Sequence, residues 1–265
     1  MRYGFCTGFA ASMTGDISYE LLDKVKAAGY DFVEFPLMQT ATLSESAFDE
    51  LCRYMADAGL AADCSCNLLP PHLKVTRETM DVPAVSAYLE TAFSRMERLG
   101  TKKNIFGSSG ARNLAPGTDE ETGYRRLEVL LRDHLIPLLE RYDMVLGVEP
   151  IGKGEANFIN TLQDGMELVR RAAHPRVRLL ADLTHMLYEG ESEEELSRFS
   201  EDLVHIHVSE VDRALPYAGY TPRLSALLGR LRAIGYEGTI SFESGPASAE
   251  EVDAALRLLR QTMEG

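Results

Sequence analysis

The sequence predicts an α/β protein built as a single-domain (β/α)8 TIM barrel that spans residues 1–265. Eight short apolar segments alternate with eight amphipathic helical segments along the whole chain, as successive strand–helix units require. No linker or shift in composition interrupts this alternation, and 265 residues is close to the usual length of such a barrel. A doubly wound open sheet is the alternative, but it usually carries a glycine-rich dinucleotide turn after its first strand. The corresponding turn here reads CTGFAAS and lacks that motif.

The predicted strands are short runs rich in β-branched and aromatic residues, and several are almost continuously apolar. Such runs are typical of parallel strands that are covered on both faces, as in a barrel wall. The eight segments are Arg2–Cys6, Phe32–Phe35, Ala62–Cys66, Lys103–Phe106, Val145–Val148, Arg178–Ala181, Val204–Val208 and Thr239–Phe242.

The predicted helices carry apolar residues at helical spacing, and several have recognisable ends. The second opens with a serine, a preferred N-cap residue, and the first two close on glycine, which adopts the left-handed C-cap conformation without strain. The eight segments are Tyr19–Gly29, Ser44–Gly59, Val82–Leu99, Asp119–Tyr142, Thr161–Ala173, Ser192–Phe199, Pro222–Gly235 and Ser248–Met263.

The formal net charge of −14 disfavours nucleic acid and anionic membranes as partners, because no run of Lys or Arg offsets the overall repulsion. No apolar run approaches the roughly 20 residues that cross a bilayer, and the N-terminus lacks the apolar core of a signal peptide. A cytoplasmic protein with reduced thiols is therefore expected. Cys64 and Cys66 share one face of a strand, a spacing that can suit a metal. Core packing is the favoured interpretation, because no second Cys pair completes a site.

Ionisable residues lie within or just after the ends of four consecutive predicted strands, at the end of the barrel where active sites form. Packed together, the carboxylates of Glu149, Asp182 and Glu243 would repel one another unless a cation held them. A set of carboxylates with an imidazole suits Mn²⁺ or Mg²⁺, with Co²⁺ or Zn²⁺ as alternatives. Taken singly, an acid after a strand is more often a helix cap or a solvated loop residue. The residues are Glu149, Asp182 with His185, His205 and His207, and Glu243.

These strand ends resemble those of the xylose isomerase-like barrel superfamily, and most closely the ketose 3-epimerases of the tagatose and allulose type. The motifs are Val148-Glu149-Pro150, Asp182-Leu183-Thr184-His185, His205-Ile206-His207 and Phe242-Glu243, with Glu155–Thr161 similar to the family loop after strand five. The resemblance implies that Glu149, Asp182, His207 and Glu243 bind one divalent metal ion, most simply Mn²⁺. It also implies substrate contacts from Glu155, His185 and Arg213. Family members are often dimers or tetramers, so a homo-oligomer is possible. His205 is assigned a role beside the ligands, because a lone histidine at such a position is more often a core residue or a partner of a ligand.

The chain departs from the ketose epimerase pattern in the substrate pocket. It contains no Trp, whereas stacking tryptophans are typical of that pocket, and Gly152-Lys153 replaces bulkier residues. Phe9, Met13 and Leu69 are candidates for an apolar wall. Four basic residues near the loops leave a phosphorylated substrate open, although a free sugar or glycoside is favoured: Arg112, Lys153, Arg213 and Arg223.

The expected reaction is epimerisation of a ketose at C3 through a metal-stabilised enediolate, with Glu149 and Glu243 exchanging protons on opposite faces of the sugar. An aldose–ketose isomerase, and a lyase or dehydratase that acts on a keto-inositol or keto-sugar, would use the same residues. An endonuclease IV-like nuclease is disfavoured by the net charge and by only six histidines. A non-catalytic sugar-binding protein would not require two opposed glutamates.

Overall fold

The computed structural model describes all residues 1–265 and contains one closed barrel of eight parallel strands in chain order. Strand β1 pairs with both β2 and β8, which closes the sheet and leaves no free edge. The strands are β1 Arg2–Cys6, β2 Phe32–Pro36, β3 Ala61–Cys66, β4 Lys103–Phe106, β5 Val145–Val148, β6 Val177–Asp182, β7 Leu203–Val208 and β8 Thr239–Phe242. The predicted barrel is confirmed, and each predicted strand overlaps an observed one.

Helices surround the barrel and bury their apolar faces against the outer surface of the strands. They are α1 Thr7–Ala10, α2 Tyr19–Ala28, α3 Leu37–Thr42, α4 Glu45–Ala58, α5 Val82–Leu99, α6 Ser109–Arg112, α7 Glu120–Leu130, α8 Ile136–Arg141, α9 Leu162–Ala172, α10 Leu183–Glu189, α11 Glu194–Arg198, α12 Pro222–Ala233 and α13 Ala249–Glu264. None of them offers an apolar stretch of the length that a bilayer crossing demands.

The helix ends follow the capping chemistry that the sequence indicates. Ser44 caps α4 by accepting a hydrogen bond from the backbone of Ala47, and Gly29 and Gly59 close α2 and α4 with left-handed backbone. The single helix predicted over residues 119–142 is instead α7 and α8 joined by a π-helical turn at Leu131–Leu135. Such a turn inserts one extra residue into the helical repeat, which side-chain periodicity does not reveal.

Four short helices were not predicted: α1, α3, α6 and α10. Each begins within three residues of the end of a strand, at the end of the barrel where chemistry is expected. These helices are four to seven residues long, too short for a periodic pattern to stand out. They matter here because they hold the first residues of the strand-to-helix loops in fixed positions.

Candidate metal centre and active site

The four predicted metal ligands lie together at the C-terminal rim of the barrel. Glu149, Asp182, His207 and Glu243 each place one donor atom within 4.8 Å of the donor atoms of the others. All four are buried, with at most 5% of any residue exposed. Register explains part of this convergence, because Asp182 and His207 are directly paired on adjacent strands β6 and β7. Alternation along parallel strands then points both side chains to the same side of the sheet.

The contacts within this four-residue cluster show how its charges are balanced. The Nδ1 atom of His207 lies 3.0 Å from Oε1 of Glu149 and 3.8 Å from Oε1 of Glu243. Arg213 donates through Nη1 to Oδ2 of Asp182 at 3.0 Å and also to Oε2 of Glu243. Three buried carboxylates and one imidazole form a hard, oxygen-rich donor set. The cluster therefore fits a single divalent cation, which would neutralise carboxylates that otherwise repel.

Burial has a large electrostatic effect on Glu243. It raises the pKa of this carboxyl to about 8, and the neighbouring carboxylates of Glu149 and Asp182 act in the same direction. The positive charges of Arg213 and His207 oppose the shift only in part. A carboxylate that resists ionisation among other carboxylates is in the environment that a bound cation would stabilise.

Asp182 has two separate functions, one for each carboxylate oxygen. Its Oδ1 atom accepts hydrogen bonds from the backbone N–H groups of Thr184 at 2.7 Å and His185 at 3.2 Å, which caps α10. Its Oδ2 atom faces Arg213 and the four-residue cluster. Although burial favours protonation, the neighbouring imidazole of His185 and guanidinium of Arg213 hold the pKa of Asp182 below its usual range. The helix-cap role and the ligand position thus coexist in one residue.

His185 lies behind Arg213 with one ring nitrogen free. The Nη2 group of Arg213 donates to Nε2 of His185 at 3.0 Å, and a guanidinium has no acceptor atom. The imidazole proton therefore lies on Nδ1, which is buried and has no hydrogen-bond partner in the protein. A buried donor without a partner is costly, so this N–H is suited to a ligand oxygen.

A cavity of about 510 Å³ opens beside His185. Its wall also includes Glu155, whose side chain is 48% exposed and lies 3.7 Å from Nη2 of Arg213. The remaining lining residues are Gly152, Lys153, Gly154, Tyr188 and Glu189. The structure thus brings all three predicted substrate-contacting residues, Glu155, His185 and Arg213, next to one another at the edge of the four-residue cluster.

The candidates for an apolar wall occupy different positions. The ring of Phe9 lies 4.6 Å from the guanidinium carbon of Arg213, and Phe9 is partly exposed at the rim. Leu69 is buried, and the sulfur of Met13 accepts a hydrogen bond from Asn67. Phe9 is therefore the candidate whose contact with Arg213 places it at the site.

Two of the four basic residues considered for phosphate binding are held by backbone carbonyls. Arg112 is fully buried and donates to the carbonyl oxygens of Phe106 at 2.7 Å and Ile159 at 3.2 Å. Arg223 lies outside the cavity and donates to the carbonyl oxygens of Leu187 and Glu191. Lys153 and Arg213 remain beside the site, and both contact carboxylates there.

One residue of the site, Glu34 on β2, was not predicted from the sequence. It is completely buried, and it accepts hydrogen bonds from Nε2 of His205 and Nε2 of His207, each at 3.1 Å. Although burial opposes ionisation, these two imidazoles lower the pKa of Glu34 well below its ordinary range. The available signal was an acid flanked by aromatic and apolar residues within the strand FVEFP.

A chain of hydrogen bonds fixes the proton positions on the two histidines. The ammonium group of Lys103 can only donate, and it contacts Oγ1 of Thr239 at 3.0 Å. The ionised carboxylate of Glu34 can only accept, so Nε2 of His205 carries the ring proton and Nδ1 of His205 accepts from the Thr239 hydroxyl at 2.7 Å. Because Glu34 also accepts from Nε2 of His207, Nδ1 of His207 is the ring nitrogen that would bind a metal ion, once the ion displaces the proton that faces Glu149. His205 therefore contacts the carboxylate that orients His207.

Comparison of the sequence with known proteins supports the barrel architecture. A sequence profile for the xylose isomerase-like TIM barrel family matches residues 22–262. The chain belongs to this family. Among relatives of this xylose isomerase-like barrel, the D-psicose 3-epimerase of Enterocloster bolteae is 24% identical over 252 residues, which cover 92% of this chain and 82% of that protein. The 3-dehydro-D-guloside 4-epimerase of Escherichia coli is 30% identical over 118 residues, or 44% of each chain.

Solved structures extend the likeness to the whole fold. A D-psicose 3-epimerase from Clostridium cellulolyticum H10, determined with D-tagatose, superposes with a TM-score of 0.86 at 18% identity and 99% coverage of both chains. That comparison supports the barrel architecture. Both sequence relatives described above are epimerases, which are enzymes of the isomerase class.

Proposed function

We propose that this xylose isomerase-like barrel is a divalent-metal-dependent ketose epimerase that inverts the configuration at C3. The observation that carries the proposal is the pair of buried glutamates, Glu149 after β5 and Glu243 after β8, around one shared donor set. Inversion of configuration beside a carbonyl needs two groups that reach the same carbon from opposite faces. The D-psicose 3-epimerase relative supports this choice of reaction.

The ion would be held by Glu149, Asp182, His207 and Glu243, and the oxygen-rich donor set favours Mn²⁺ over softer ions. When bound, it would supply Lewis acidity that stabilises negative charge on the carbonyl oxygen of the sugar. The protein side chains carry out the proton transfers. One of the two glutamates removes the proton from C3, and the other returns a proton to the opposite face.

The surrounding residues position the sugar. The unpartnered Nδ1–H of buried His185 can donate to a sugar oxygen, and the guanidinium of Arg213 places positive charge where an oxyanion would develop. The half-exposed carboxylate of Glu155 can accept a hydrogen bond from a sugar hydroxyl. Burial of the glutamates excludes bulk water, which strengthens these interactions.

The test begins with elemental analysis of the purified protein and incubation with a panel of keto-sugars in D₂O. We expect deuterium at C3 of the recovered sugar and its epimer. Glu149→Gln and Glu243→Gln should abolish this exchange, and the Mn²⁺ content of each variant separates loss of the base from loss of the ion. Glu251→Gln, a surface cap of α13, is the matched control. A Glu149→Gln or Glu243→Gln variant that keeps its metal and its exchange rate would contradict the assignment.

The position of the label also separates the rival reactions. Deuterium at C1 would identify an aldose–ketose isomerase, and an unsaturated product would identify a lyase. A non-catalytic sugar-binding protein would retain the ion and incorporate no deuterium. Each of these results would replace the C3 epimerase assignment.

Epimerisation of a 3-keto glycoside at C4 is the second candidate, favoured by the similarity to the 3-dehydro-D-guloside 4-epimerase. It uses the same proton abstraction next to a carbonyl and therefore the same pair of glutamates. The cavity of about 510 Å³ beside His185 has room for the additional group of a glycoside. Including 3-keto glucosides in the D₂O panel tests this candidate, and label at C4 would establish it.

A further inference from the structure

Two free cysteines meet inside the barrel next to Glu243. Cys6 ends β1 and Cys66 ends β3, and both side chains are buried, with their sulfur atoms 3.3 Å apart. Because β1 and β3 are separated by β2, these side chains can touch only across the barrel interior. The sequence places Cys66 two residues from Cys64, but the fold pairs it with Cys6 instead.

The two sulfurs share a carboxylate with the four-residue cluster. One donor atom each from Cys6, Cys66 and Glu243 lies within 4.8 Å of the other two. Asn67 extends the sulfur-rich wall, since its Nδ2 group lies 3.7 Å from Sγ of Cys66 and 3.2 Å from Sδ of Met13. A hard oxygen site and a soft sulfur site are therefore adjacent, with Glu243 common to both.

We propose that Cys6, Cys66 and Glu243 form a second metal site, selective for a thiophilic d¹⁰ cation such as Zn²⁺. Thiolates favour such ions, whereas the neighbouring oxygen-rich cluster favours Mn²⁺ or Mg²⁺. The ion replaces the thiol protons on binding, as metals do at cysteine sites generally.

The geometry fits one ion with little movement. Zinc–sulfur bonds of about 2.3 Å at a tetrahedral angle place two sulfurs about 3.8 Å apart. The sulfurs of Cys6 and Cys66 must therefore separate by about 0.5 Å from 3.3 Å, which small side-chain rotations supply. Three protein ligands leave a fourth position for water, as in open zinc sites.

Sharing Glu243 makes the two sites interdependent. An ion bound to the thiolates engages the carboxylate that the proposed epimerase uses for proton transfer. Zn²⁺ should therefore inhibit the Mn²⁺-loaded enzyme, a consequence that rests on the proposed function. The existence of the thiolate site does not depend on that function, because binding is measured without substrate.

Cadmium is the probe, because a cadmium–thiolate bond gives an ultraviolet charge-transfer band. The experiment uses reduced Cys52→Ser/Cys64→Ser protein, in which the other two thiols have been removed. Excess Mg²⁺ in the buffer keeps a hard ion on the oxygen donors of the four-residue cluster. We expect the band to saturate at one Cd²⁺ per chain and to disappear when Cys6→Ser and Cys66→Ser are added. Absence of the band in the first protein, or its persistence in the second, would overturn the proposal.

Matched glutamate variants test whether Glu243 is a ligand. Glu243→Gln should weaken the Cd²⁺ affinity read from the band by at least about tenfold. Even the loss of a residue that only contacts a metal ligand reduces metal affinity by this amount. Glu149→Gln changes the oxygen-rich cluster alone and should leave that affinity within about threefold of the parent. Equal losses in both variants would place the ion in the four-residue cluster and refute the shared site.

Crystallography covers the case in which the cysteine variants do not fold. A Cd²⁺-soaked crystal of the wild-type protein should show an anomalous peak at bonding distance from both Sγ atoms, and a peak elsewhere only would reject the site. In activity assays, the Zn²⁺ concentration that inhibits the wild-type protein should be at least about tenfold lower than the concentration that inhibits the Cys6→Ser/Cys66→Ser variant. If neither protein shows activity, the proposed epimerase fails while the optical and crystallographic results stand on their own.

Discussion

Replacing Glu34 by glutamine tests how strongly one buried carboxylate orients the imidazole of His207. In the wild-type protein both oxygens of Glu34 accept hydrogen bonds, from Nε2–H of His205 and Nε2–H of His207. Glutamine keeps an acceptor oxygen at the Oε2 position, which lies 3.1 Å from Nε2 of His205 and 3.2 Å from Nε2 of His207, but it places a donor NH₂ group at the Oε1 position, where it opposes the Nε2–H of His207. Since the Thr239 hydroxyl holds His205 as an Nε2–H donor, His205 should retain the amide oxygen.

The size of the loss in Mn²⁺ affinity depends on the hydrogen-bond partner that remains for His207. The amide NH₂ of the variant would face Nε2 of His207, which can accept only if the ring proton moves to Nδ1. Nδ1 is the atom that faces Glu149 at 3.0 Å and would bind the ion. Loss of such partners typically costs 10–100-fold in metal affinity, or about 1.4–2.8 kcal/mol. We expect Mn²⁺ binding to Glu34→Gln to weaken by this amount.

Isothermal titration of the metal-free protein with Mn²⁺ measures the affinity, and ¹H–¹⁵N correlation spectra of the histidine rings report the tautomers. Glu251→Gln provides the same chemical change at a surface cap and should bind Mn²⁺ as the wild type does. A Glu34→Gln protein with a dissociation constant within about threefold of wild type, and with His207 still carrying its proton on Nε2, would refute the reasoning.

Two further changes follow from the structure. Gly107→Ala should weaken Mn²⁺ binding, because its Cβ would overlap Oε2 of Glu149 and lie 3.1 Å from Cδ, whereas Gly229→Ala has free space and is the titration control. Glu191→Gln should raise thermal stability above pH 7, because burial raises the pKa of Glu191 to about 7 from an ordinary 4.5. Because this pKa is raised in the folded state, the protein is most stable below about pH 4.5 and loses stability as the pH rises through 7. After allowance for partial exposure, the loss in the free energy of unfolding is about 1–2 kcal/mol, which lowers the melting temperature by about 2–4 °C. Melting curves at pH 4.5 and 8 check this, and equal gains at both values would contradict it.

The barrel was predictable because its elements depend on local patterns. A continuous apolar run such as Val145–Val148 indicates a buried strand, and an amphipathic stretch such as Val82–Leu99 indicates a helix. Both elements occur in the structure with the predicted bounds. The four-residue cluster was predictable for a related reason. Strand order alone brings the C-terminal ends of parallel strands to one rim, so polar residues at those ends must converge.

Glu34 shows where this reasoning stops. Its strand was predicted, but the partners of its carboxylate lie on β7, far away in sequence and across the barrel. Which inward side chains meet inside a barrel depends on strand tilt and stagger, which local periodicity does not encode. Arg112 illustrates the same limit, because nothing in its local sequence indicates that backbone carbonyls would enclose it.

The sequence by itself determined the repeating strand–helix order, the ends of most helices and the chemical character of the four strand ends. These properties come from interactions between residues close together in the chain. The tertiary structure decided which donor atoms approach one another: the bridge from Glu34 to two histidines, the free Nδ1 of His185, and the contact of Cys6 with Cys66. Such contacts arise only when the sheet closes, because closure brings distant strands to within a few ångströms of a common axis.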